Sequence, residues 1–188
     1  MNTSDTALIV IDAQESFRHR DYWEATDAPA FVDRQQTLIN GAKAVGMPVV
    51  QIFHVEPDGA FSLASGHVRT LTPLEITPDV VFHKHRHSAL VGNGLPVWLT
   101  ERGIRRLIVS GIRTEQCCET TTRQASDLGY EVDFVSEATL TFAMIDRDGR
   151  RWSAQEVKTR TELVLADRFA RIATVEQALA RPAAKRAA

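Results

Sequence analysis

Apolar residues along the chain fall into short continuous runs, separated by longer stretches where they recur every three or four positions. The runs are TALIVIDA, PVVQIFHV, DVVFHKH, RRLIVSGI and YEVDFVSEA, with a shorter one opening RIATVEQALA. Continuous β-branched runs of this length suit parallel strands buried on both faces. Between the runs, APAFVDRQQTLINGAKAVG places Phe31, Leu38, Ala42 and Val45 at helical spacing before Gly46 and Pro48 stop it. LPVWLTERG predicts a short helix ending at Gly103, and TEQCCETTTRQASDLG a helix from Thr114 to Gly129. SAQEVKTRTELVLADRFA predicts a long amphipathic helix over 153–169. Strands alternating with helices imply βαβ units with right-handed crossovers. The expected fold is α/β, a three-layer α/β/α arrangement around a mostly parallel, Rossmann-like sheet of about six strands.

The chain of 188 residues fits a single domain over 1–181. RPAAKRAA, with Pro182 and little to bury, is expected to be a disordered tail over 182–188. Residues 55–78 break the rhythm with three prolines and two glycines. A loop this long inside a compact domain is usually a lid or a pocket wall. A net charge of -2 gives no electrostatic footprint for nucleic acid or anionic lipid and points to a small or neutral partner. No stretch approaches a membrane span, and the N-terminus lacks the basic region of a signal peptide. The two cysteines, Cys117 and Cys118, are adjacent, so they form no disulfide framework and read as reduced thiols in a cytoplasmic protein.

In an open parallel sheet, ligands bind beyond the carboxyl ends of the strands. Asp12 follows ALIVI, His54 ends VVQIF, Lys84 closes VVFHK, and Cys117 follows RRLIVSG in the first turn of a helix. A carboxylate, an ammonium and a thiol could therefore meet in one crevice. With Thr114 as N-cap, the helix start favours a thiolate at Cys117. Cys118 is turned about 100° away and reads as a small core residue. Each candidate has a plainer alternative: a turn-capping aspartate, a solvated lysine, a buried hydrophobic cysteine. In HKHRHS, His83, His85 and His87 would share one face of a strand. Zinc sites draw ligands from more than one element, however, and no CxxC or HExxH spacing accompanies them. No metal and no cofactor is expected.

Three motifs in the same order resemble the isochorismatase-like cysteine hydrolases, the superfamily of nicotinamidases and N-carbamoylsarcosine amidase. They are LIVIDAQESF, FHKHRHSAL and VSGIRTEQCCETTTRQASDLGYEVDFVSEAT. The spacing of Thr114, Cys117, Thr121 and Ala125 fits the nucleophile signature, and anchoring on Cys118 breaks it. Leu90 stands where a phenylalanine is common. The resemblance implies a catalytic triad of Asp12, Lys84 and Cys117. It also implies a cis peptide at Ile112–Arg113 and an oxyanion hole from the Arg113 and Cys117 amides. The implied reaction is hydrolysis of a small-molecule amide through a thioester, in a homo-oligomer, dimer or larger. The aspartate–histidine pattern that binds metal in nicotinamidases is absent from IFHVEPDGAFSLASGH, which argues against nicotinamide. Phe17, Trp23, His54 and Phe61 are candidate pocket residues, and Arg113 is a candidate partner for a substrate carboxylate. Two rival functions remain: vinyl ether hydrolysis with Asp12 as acid, and a non-catalytic or redox-sensing role for the cysteines.

Overall fold

The computed structural model describes residues 4–181. The tail expected over 182–188 lies outside the described residues. Six runs become strands: β1 (Thr6–Ile11), β2 (Val49–His54), β3 (Val80–Lys84), β4 (Arg106–Ile112), β5 (Glu131–Leu140) and, after a hairpin of β6 (Met144–Ile145) and β7 (Arg151–Trp152), β8 (Arg171–Ile172). The six form one parallel sheet in the order β3–β2–β1–β4–β5–β8, as the alternating pattern predicts. Successive strands run outward from β1 to β3, and the chain then returns to add β4 on the other side of β1. The order therefore reverses between β1 and β4, and the carboxyl ends of these two strands flank the place where such sheets bind ligands.

Helices α1 (Ala28–Ala44), α2 (Leu95–Glu101), α3 (Glu119–Asp127), α4 (Ala154–Leu165) and α5 (Val175–Ala180) cover both faces. Side chains alternate across a strand, and β1 shows how both faces become core. Leu8 and Val10 pack with Phe31, Leu38 and Ile39 of α1 and with Val175 and Ala178 of α5. Ala7, Ile9 and Ile11 pack on the opposite side with Leu95, Leu99, Ala125 and Leu165. Each large aliphatic side chain so buried contributes about 1.5–3 kcal/mol. Among the described residues, no helix is long and apolar enough to cross a membrane.

Two stretches differ from expectation. The helix expected over 153–169 starts at a capping box between Ser153 and Glu156 but ends at Leu165. Asp167 has a φ of 58°, and the amides of Phe169 and Ala170 fold back onto the Leu165 carbonyl. The chain must turn there for Arg171 and Ile172 to pair with Asp133 and Phe134 of β5. The hairpin β6–β7 lies in a stretch with no readable period.

Residues 55–78 are laced to the segment after β1. The Leu71 amide donates to the Ala13 carbonyl, the Glu15 amide to Arg69, and the Thr72 amide to the Glu15 carboxylate at 2.7 Å. His19 and His67 stack with centroids 3.6 Å apart.

Where β4 passes β1, the strands leave no room for a side chain. Gly111 has a φ of 122°, and a Cβ there would lie 1.9 Å from the Ile11 carbonyl oxygen. Gly111→Ala should therefore lose at least about 3 kcal/mol, since the backbone that aims Asp12 must move. Gly103→Ala, at a φ of 64° with open space around it, should lose only about 1–2 kcal/mol. Denaturant unfolding of both variants checks this, and equal losses would contradict it.

Candidate active site

Asp12 is the first residue beyond β1, and its φ of 49° turns the chain sharply at the sheet edge. Its amide still donates to the Ile52 carbonyl of β2 at 2.9 Å. Gln14 extends this grip. Its amide oxygen accepts from the His54 N–H at 2.8 Å, and its amide nitrogen donates to the His54 carbonyl at 3.1 Å. The end of β2 is thereby clamped beside β1 without a further strand residue.

Lys84 ends β3, two strands from β1. Neighbouring strands lie about 4.8 Å apart, so its side chain must cross roughly 10 Å over the end of β2 to reach Asp12. Only a long cationic side chain can do so. The Lys84 Nζ lies 2.7 Å from Asp12 Oδ2, and both side chains are fully buried. The contact is an ion pair without the directionality of a hydrogen bond, and Asp12 Oδ1 has no hydrogen-bond partner. Nζ also approaches His54 Nδ1 at 3.2 Å, the Arg86 carbonyl at 3.1 Å and Cys117 Sγ at 3.3 Å. Burial pulls the ammonium pKa down, but Asp12 and Cys117 outweigh it, so the group is held above its ordinary value.

Cys117 follows β4 through a cis Ile112–Arg113 peptide, the bond that the family resemblance implies. The local structure differs from the expected helix start. Thr114–Cys118 form a wide π-type turn, and α3 begins only at Glu119. Thr114 does not cap it, because its hydroxyl pairs with Thr139 Oγ1 of β5 at 2.7 Å. The expectation of a thiolate also fails at rest. Burial, and then the Asp12 carboxylate, push the Cys117 thiol well above its ordinary pKa against the pull of Lys84. Cys118 is fully buried in the apolar cluster on the α2–α3 side of the sheet, with its own pKa raised chiefly by burial.

The Cys117 thiol opens into a small cleft of about 70 Å³. Phe17, His54 and Phe61 line it, as the sequence suggests. Trp23 does not. It packs 5.4 Å from Phe142 and under Arg18, lining a wider groove of about 620 Å³ that holds none of Asp12, Lys84 and Cys117. Arg113 also points elsewhere: its Nε pairs with Glu115 at 2.9 Å and its guanidinium lies over Tyr22 and Phe142. Sequence reasoning missed Arg20, Tyr22, Glu56 and Gln116, which also line the cleft. Arg20 and Tyr22 arrive because a 3₁₀ turn over Glu15–His19 carries the segment after the β1 motif back to the site. Gln116 could have been read from its place beside Cys117.

The three histidines do not converge. His83 lies 6.1 Å from the Phe53 ring, His85 Nδ1 reaches the Val55 carbonyl at 2.9 Å, and His87 Nδ1 lies 3.9 Å from Cys117 Sγ. β3 ends at Lys84, so the alternation that would align them stops there. Among the described residues, no three His, Cys, Asp or Glu side chains are grouped to hold a metal.

The model of the isochorismatase domain matches residues 6–177. The chain is 27% identical over 175 residues to the uncharacterized isochorismatase family protein YrdC of Bacillus subtilis, spanning 91% of this chain and 92% of that protein. It is 27% identical over 176 residues to the ureidoacrylate amidohydrolase RutB of Stutzerimonas stutzeri, spanning 74% of this chain and 71% of RutB. The crystal structure of an isochorismatase from Pseudomonas putida superposes with a TM-score of 0.84 at 26% identity, covering 94% of this chain and 91% of that one.

Because the Lys84 ammonium can only donate, His54 Nδ1 must accept, which leaves the proton on Nε2, 3.5 Å from Glu56. Burial, then the Lys84 charge, lower the His54 pKa from 6.5 to about 4. Between these values the unfolded chain takes up a proton that the folded chain refuses. Stability should therefore fall as pH drops from 6.5 towards 4, by up to about 3 kcal/mol from this group. His54→Asn keeps an acceptor for Lys84 and removes the titration. Urea unfolding at pH 7.5 and 4 should show the wild type losing more than the variant, and parallel losses would exclude the assignment.

Proposed function

The chain belongs to the isochorismatase family, and on that premise we propose that it hydrolyses the carbon–nitrogen bond of a small-molecule amide through a thioester on Cys117. The observation that carries this reading is one buried ammonium, Lys84 Nζ, contacting both Asp12 at 2.7 Å and Cys117 at 3.3 Å at the floor of a cleft. One relative is named a ureidoacrylate amidohydrolase, which supports the amide-cleaving part of this reading.

Asp12 takes the thiol proton as Sγ attacks the amide carbon. Its unpartnered Oδ1 is the free acceptor for this transfer. The Lys84 ammonium remains between the two sites of negative charge and stabilises whichever carries it. The amides of Arg113 and Cys117 receive the carbonyl oxygen as it becomes an oxyanion. Collapse breaks the C–N bond, and Asp12 returns its proton to the departing amine. Asp12 then deprotonates a water that attacks the thioester. The C–S bond breaks, a carboxylic acid leaves, and the proton on Asp12 restores the thiol. A thiol protonated at rest fits this sequence, because deprotonation and attack occur together once substrate is bound.

Alanine replacement of Cys117 should abolish ammonia or amine release across a panel of small amides, by at least about 10³-fold, whereas Cys118→Ala should keep activity within about tenfold. Lys84→Met should also be inactive and, by leaving Asp12 buried without its partner, lose about 3–5 kcal/mol. Full activity in Cys117→Ala, or its complete loss in Cys118→Ala, would overturn the assignment of Cys117 as the nucleophile. The reading includes self-association. Ile145 on β6 and Leu163 on α4 are 73% and 77% exposed, an apolar display suited to a second copy. Light scattering should return at least twice the 20.9 kDa chain mass.

A further inference from the structure

The cleft that holds Cys117 also holds one cation, Arg20, that pairs with none of the described residues. Lys84 is balanced by Asp12. Arg18 pairs with Glu15 at 3.3 Å and Arg113 with Glu115 at 2.9 Å, so these two arginines, neither of which lines the cleft, are already paired. Glu56 is a carboxylate of the same cleft; it lies 3.5 Å from the neutral His54 Nε2–H and makes no ion pair with Arg20. Arg20 is different. Among the described residues its guanidinium makes no hydrogen bond and no ion pair. It contacts the faces of Tyr22 and Phe61, with centroids 5.6 and 5.9 Å away, and both rings line the cleft with it.

These placements define a binding chemistry. The rings of Tyr22 and Phe61 give the guanidinium an apolar backing, so its planar edge is free for a ligand. An arginine fork matches a carboxylate through two parallel hydrogen bonds. Arg20 is exposed, so the pairing draws on this two-bond geometry rather than on burial. The cleft is only about 70 Å³, so a group meeting Arg20 while a carbonyl meets Cys117 must be a few bonds from that carbonyl.

We propose that the substrate is a short amide bearing a carboxylate at the end remote from the scissile bond, and that Arg20 is the residue that binds this carboxylate. The inference rests on the amide-hydrolase reading and names its substrate class. It moves carboxylate recognition from Arg113, which Glu115 has neutralised, to a residue outside the family motifs quoted above.

The test uses monoamides of the three- to five-carbon dicarboxylic acids, each against its neutral diamide. Wild-type kcat/KM should favour the monoamide by at least tenfold at one chain length. Arg20→Gln should bring that monoamide down to the level of its diamide through KM, and Arg20→Lys should retain part of the preference. Arg102→Gln removes the same charge from a guanidinium stacked on Trp98 after α2, and should keep the preference. Calorimetry of the monoamide with Cys117→Ala, with and without Arg20→Gln, reads binding without turnover and should show the same tenfold loss. Equal turnover of monoamide and diamide by the wild type, or an unchanged preference in Arg20→Gln, overturns the proposal. Turnover of neutral amides alone removes the Arg20 assignment and leaves the Cys117 reading intact. Arg20-dependent binding without any amide turnover does the reverse.

Discussion

A lysine buried with no exposed atom is the constraint around which the site is organised. Taking a carboxylate and an ammonium out of water costs several kcal/mol per ion, and only close pairing with further polar contacts offsets it. Lys84 meets that demand at Asp12, at His54 Nδ1, at the Arg86 carbonyl and at Cys117. Every one of these partners must therefore be held to within a few tenths of an ångström. The Gln14 clamp on His54, the absent side chain at Gly111 and the left-handed turn at Asp12 all serve that placement. The helices and the two apolar layers keep the strand ends in register beneath it.

The same pair fixes the protonation of its surroundings. An ammonium facing His54 forces the imidazole to accept, which keeps it neutral and selects its tautomer. The carboxylate beside Cys117, added to burial, keeps the thiol protonated despite the nearby cation. The floor of the cleft is thus close to electrically balanced. Arg20 and Glu56 line the same cleft above that floor.

The strands and their order of appearance were legible because continuous apolar runs and Gly or Pro stops are local signals. The convergence of Asp12, Lys84 and Cys117 was legible because strand ends of a parallel sheet lie on one edge. What stayed hidden depends on contacts between distant segments. The π-type turn at Thr114–Cys118 arises where Thr114 finds Thr139, 25 residues away. The early end of α4 follows from pairing β8 with β5. Trp23 and Arg113 looked like pocket residues from their neighbours in sequence, yet each packs against Phe142 instead. The thiolate expectation failed for a related reason: a helix-start argument sees the backbone dipole but not how deeply the sulfur is buried.

The protonated resting thiol has a consequence beyond catalysis. Peroxides and other electrophiles react with the thiolate form of cysteine, and their attack tracks the fraction present. Burial first, and then the Asp12 carboxylate, hold that fraction low at Cys117, so its sulfur should meet oxidants as the less reactive thiol. Cys118, sealed in the core beside it, gains the same protection chiefly from burial. The two neighbouring sulfurs thus share one main safeguard, burial, to which the Asp12 carboxylate adds.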